Sequence, residues 1–209
     1  MKPIHLWALA AVAMLAMAGC SHRAPTIAHV HIGHAMTGWH DTPDKAGLFV
    51  VAETKAAAAL QSAQNAVGEN MDLKGIKTEI ARVSHLSDAG TQPEGAEKIY
   101  GVKQAVSGTV NHITYAATSP DATPNVQAFA DGFTANAAGV LDRCDLITAL
   151  SSDIGASGSI DEVRLLAPEI EKLARANVYG EDLDGDGRIG SDAADHFQYH
   201  ILAVNTLWQ

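Results

Sequence analysis

Cysteine is nearly absent from this chain: its 209 residues include two, Cys20 and Cys144. Cys20 closes an apolar leader, so Cys144 is the one cysteine of the region that follows and has no partner there for a disulfide. Aromatic residues are also sparse, at 5%, so a core here must be built from Ala, Val, Leu and Ile. Basic residues are outnumbered, 14 Lys and Arg against 24 Asp and Glu, leaving a net charge of −10. That balance argues against a nucleic-acid partner and against a polybasic contact with anionic lipid, and it suits a protein that handles cations. Beyond the leader no apolar run is long enough to span a bilayer. Enzyme signatures are missing too: there is no Gly-x-Ser-x-Gly, no His-Glu-x-x-His and no phosphate-cradling glycine loop. Nor is there a Cys-x-x-Cys-His for covalent haem, or the Glu-x-x-His pattern of di-iron bundles. The chain therefore reads as a binding or assembly protein rather than an enzyme.

What is present begins with the leader. Lys2 precedes an apolar run from Leu6 to Ala18, the length of a signal h-region. It ends in Met17-Ala18-Gly19-Cys20, which resembles a bacterial lipobox, with Met17 where leucine is usual. The resemblance implies that the Cys20 thiol is diacylated and becomes the mature N-terminus. Ser21, where an aspartate would retain the protein at the inner membrane, implies delivery to the outer membrane, facing the periplasm. Acyl chains anchor firmly, because each buried CH₂ contributes about 0.8 kcal/mol. The expected organisation is a signal peptide over 1–19, a lipidated tether over 20–28 and one helical domain over 29–209, with a histidine-rich opening at 29–40.

Hydrophobic spacing over the rest is helical. Leu48, Val51, Ala52, Ala56, Leu60, Ala63 and Val67 form one stripe, and Ile76, Ile80 and Val83 a second. Val102, Val106, Val110, Ile113 and Ala117 form a third. Pro120 and Pro124 flank a turn before the longest stripe, from Val126 to Ile147, which includes Cys144 as a buried, inert thiol. Ser159 is a cap for a helix carrying Val163, Leu166, Ile170, Leu173 and Val178, where Pro168 predicts a kink or a restart. Phe197, Ile201, Val204 and Trp208 mark a last helix. The expected fold is all-α, an antiparallel bundle of five or six helices with an EF-hand-like loop before the last. Gly101, Gly108, Gly132 and Gly139 punctuate these helices, as close helix packing would require.

Two groups of residues carry chemistry. In Asp182-Leu-Asp-Gly-Asp-Gly-Arg-Ile-Gly190, Asp182, Asp184 and Asp186 place carboxylates at alternate positions, and Gly187 allows the tight turn. The Arg188 backbone carbonyl adds a further oxygen, the way a loop wraps Ca²⁺. The closing bidentate Glu is replaced by Ala193, so Asp192 or Asp195 must complete the sphere. Such a loop binds weakly, at about 10⁻⁴–10⁻³ M, and acts as a structural clip.

The second group is the histidines, five of which lie between His22 and His40. In an extended segment with Val30 and Ile32 buried, His29 and His31 project together and Gly33 turns His34 towards them. His196 and His200 stand one turn apart on the last helix. Neutral imidazoles at these spacings suit Zn²⁺ or Cu²⁺, and a non-covalent haem is a further candidate. His85 and His112 are isolated in sequence, and His112 is expected at a core boundary. The opening His29-Val-His-Ile-Gly-His34 and the Asp-rich close together resemble a group of small exported helical proteins of Gram-negative bacteria, a resemblance that implies no mechanism. The functional expectation is a metal-binding envelope lipoprotein in storage, delivery or sensing. The rival expectation is an assembly lipoprotein for an envelope protein partner, and a third is a haem or electron-transfer bundle.

Overall fold

The computed structural model describes residues 25–91 and 100–181. Over these residues the protein is helical: α1 (Ile27–Met36), α2 (Leu48–Ala66), α3 (Leu73–Ser87), α4 (Val102–Thr118), α5 (Pro124–Ala156) and α6 (Ile160–Tyr179). No strand occurs among the described residues. Consecutive helices joined by short turns, such as α2–α3 and α5–α6, pack against one another and so run antiparallel. None of these helices is long and apolar enough to cross a membrane.

Local chemistry sets the boundaries. The Asp72 side chain accepts a hydrogen bond from Gly75 N at 2.7 Å and starts α3. The Thr123 hydroxyl accepts from Val126 N, with Pro124 in the first turn of α5. Ser159 caps α6 as expected, accepting from Glu162 N at 3.3 Å, and Asp161 and Glu162 add charge that suits a helix N-terminus. Gly180, at φ 85°, ends α6 where an L side chain would be strained. Pro168 does not restart the helix: α6 runs unbroken through it from Ile160 to Tyr179.

The larger correction is α1. Residues 29–34 are not extended but lie within a helix that starts at Ile27, capped by Thr26, whose hydroxyl accepts from His29 N. Ala28, Ile32 and Ala35 are its buried residues, four and then three apart, which is one face of a helix. Val30, expected inside, is 40% exposed. An alternating apolar pair thus coincided with helical spacing, and the wider interval decided. Ala28 is buried, so the packed domain begins ahead of position 29.

The buried residues form two clusters. One joins α1, the first half of α2, α4 and α5 as far as Cys144. The other joins the second half of α2, α3, α5 from Ile147 onward, and α6. Helices approach closely where glycine permits it. A Cβ on Gly47 would lie 2.4 Å from the Met36 carbonyl carbon, where the end of α1 meets the start of α2. A Cβ on Gly108 would lie 3.0 Å from Leu48 Cδ2, so α4 lies tightly on the first turn of α2. Gly132 has open space around it, so packing does not explain that residue. Across the α5–α6 seam, buried Arg143 donates from Nε to Asn177 Oδ1 at 2.8 Å, and Asn177 Nδ2 reaches Cys144 Sγ at 3.8 Å. Burial pushes the Cys144 thiol up to about 12, so it is protonated and unreactive at neutral pH.

Candidate metal centre

α1 packs mainly on α4, and three histidines meet at that contact. His31 and His34 are one turn apart on α1, and helical geometry puts them on the same side. His112 comes from α4. One ligand nitrogen from each lies within 4.8 Å of the others. His31 Nδ1 and His112 Nδ1 are 3.1 Å apart, a distance that requires at least one of them to be unprotonated. His34 Nδ1 is buried and has no hydrogen-bond partner among the described residues. An orphaned buried ring nitrogen of this kind is costly in a folded protein unless something else satisfies it. The cluster can therefore hold a metal ion.

The anchoring of α1 fixes the register of the pair. Ala28 N donates to Asp121 Oδ2 at 3.1 Å, which ties the first turn of α1 to the α4–α5 connection. That contact and its other hydrogen bonds hold the Asp121 carboxyl below its ordinary range, Thr26 contributing most. At the other end, Thr37 N and Gly38 N both donate to Gly33 O and close the helix. The chain then turns so that Trp39 N donates to Ala46 O at 3.2 Å, while the Thr42 hydroxyl donates to Trp39 O at 2.8 Å. This places the Trp39 ring 4.6 Å from the rings of both His34 and His112. Tyr115, one turn along α4, lies 5.3 Å from His31.

Electrostatics favour the neutral form of His112 and of His34. Burial, and then the neighbouring His34 and His31, push His112 down to about 4. Burial likewise lowers His34, with His31 and His40 adding to the effect. Unprotonated imidazoles at pH 7 have lone pairs free to coordinate.

The expected site is thus regrouped. His31 and His34 come together, whereas His29 is exposed with Nδ1 2.7 Å from the Thr26 hydroxyl, at the cap of its own helix. In a helix, two residues of separation put His29 on a different side from His31. The third member, His112, stands 81 positions from His31. A helical reading of 27–36 would have paired His31 with His34, but only the packing of α1 on α4 selects His112. His196 and His200, the calcium residues Asp182, Asp184, Asp186, Arg188, Asp192 and Asp195, and the acylation residue Cys20 lie outside the described residues.

Comparison with known proteins adds no relative: no family model matches the chain, and no curated protein or solved structure matches it.

Proposed function

We propose that this chain is an envelope lipoprotein that binds a transition metal through His31, His34 and His112, for storage, delivery or sensing of the ion. The observation that carries the reading is the convergence of three imidazoles, one with a buried nitrogen that has no hydrogen-bond partner among the described residues. Zn–N bonds of about 2.0–2.1 Å hold tetrahedral nitrogens roughly 3.3 Å apart, close to the 3.1 Å between His31 and His112. The His31–His112 pair is thus already at the spacing of two ligands, and His34, within 4.8 Å of both, must swing in to join them. Imidazole donors suit Zn²⁺ and Cu²⁺ alike. Three nitrogens converging on one point favour a bare ion over haem, whose iron offers its two axial positions on opposite faces.

The test is isothermal titration of the full-length chain with Zn²⁺ and with Cu²⁺. One ion per chain is expected, with His112→Ala weakening binding by more than about tenfold and His29→Ala leaving it unchanged. Absence of stoichiometric binding, or wild-type affinity in His112→Ala, would overturn the reading.

The Asp182–Asp186 loop belongs to the proposal as a calcium clip, with the Arg188 carbonyl and Asp192 or Asp195 completing it. Chelation should lower the melting temperature, and Asp184→Ala should abolish that response. A melt indifferent to chelator in the wild type would remove calcium from the reading. Exposed Leu146 and Leu165 add nothing to the alternative of an assembly partner, since single exposed leucines are ordinary surface.

A further inference from the structure

The surroundings of the three nitrogens point to which ion they hold, a step that rests on the metal reading above. Among the described residues no carboxylate or thiolate joins the three imidazoles. A divalent ion in such a set keeps its full double charge. The cost of taking an ion out of water rises with the square of its charge, so a partly buried, carboxylate-free site penalises M²⁺ about four times as heavily as M⁺.

Trp39 is the second observation, independent of the donors. Its backbone is fixed by Ala46 O and by the Thr42 hydroxyl, and its ring lies 4.6 Å from those of His34 and His112. An ion ligated by both imidazoles is therefore held beside the indole. The indole π system attracts cations within about 6 Å, more so when they are desolvated. It competes poorly for the strongly hydrated Zn²⁺ and well for a soft, weakly hydrated monovalent ion. Copper(I) combines single charge, affinity for imidazole and tolerance of three-coordination.

We propose that His31, His34 and His112 hold copper(I), with Trp39 packed beside the ion as an aromatic cover. Cu²⁺ supplied to the site reaches this state by taking one electron from an external reductant such as ascorbate.

The experiment is an anaerobic competition of the full-length chain against bicinchoninate for Cu⁺, with ascorbate present, followed by challenge with Zn²⁺. The chain should withdraw one Cu⁺, and equimolar Zn²⁺ should not displace it. Trp39→Leu should weaken Cu⁺ binding by about tenfold while leaving Zn²⁺ affinity within about twofold. Trp39→Phe, which keeps a ring in the same place, should fall between the two and decides the matter if the leucine variant does not fold. Displacement of Cu⁺ by Zn²⁺, or unchanged Cu⁺ affinity in a folded Trp39 variant, overturns the proposal. A chain that binds Zn²⁺ through the histidines but takes no Cu⁺ refutes copper(I) and leaves the metal reading intact. A chain that binds neither ion refutes both.

Discussion

At His112 a helix that packs on its neighbour also supplies a candidate metal ligand. Its imidazole is held neutral well below the pH at which a free histidine charges, and that has a consequence for stability. The unfolded chain takes up a proton at His112 near pH 6.5, while the folded chain resists until about pH 4. Between those values the unfolded state carries more protons, so stability falls as pH falls through the window and levels off below it. Denaturant titrations across pH 4–7 should show this slope in metal-free protein. The slope should be shallower in His112→Asn, with the background from carboxylates common to both. A single residue of this kind was only half legible in the sequence. Its position beside the third stripe was visible, but its partners depend on the contact between α1 and α4.

Of the elements, α2 to α6 were legible because each repeats apolar residues over several turns, with Pro124 and Ser159 marking the starts of α5 and α6. The helix α1 was not. With ten residues, it offers few turns from which to read a period, and Val30 and Ile32 imitate a strand. What identifies it is Thr26 as a cap and the Ala28–Ile32–Ala35 face, a short run that declares itself only once α4 is opposite. The seat of α1 also depends on Gly47. A methyl group there meets the Met36 backbone at 2.4 Å, and backbone cannot swing aside as a side chain can. Gly47→Ala should therefore destabilise the fold by about 1–3 kcal/mol in urea titrations. It should weaken metal binding as well, because shifting the end of α1 displaces His34 from His112.

For the molecule as a whole, the proposed metal site and the fold share one contact, that between α1 and α4. An ion bound by His31 and His34 on one side and His112 on the other ties α1 to α4. At a free metal concentration about 100 times Kd this stabilises the native state by about 2.7 kcal/mol. For a domain of this size that corresponds to a rise in Tm of roughly 5–10 °C. Differential scanning calorimetry should show the rise in the wild type and its absence in His34→Ala. Whether the rise belongs to the whole protein or to one end is decided by α5. At 33 residues it is about 50 Å long. It contributes Val126 to Cys144 to one cluster and Ile147 and Ile154 to the other. Neither cluster can lose α5 without exposing the apolar residues that the other buries against it. The helix therefore acts as a common axle, and the two halves should melt in one cooperative transition. An ion captured beside Trp39 should then protect Ile154 as effectively as it protects Ile32.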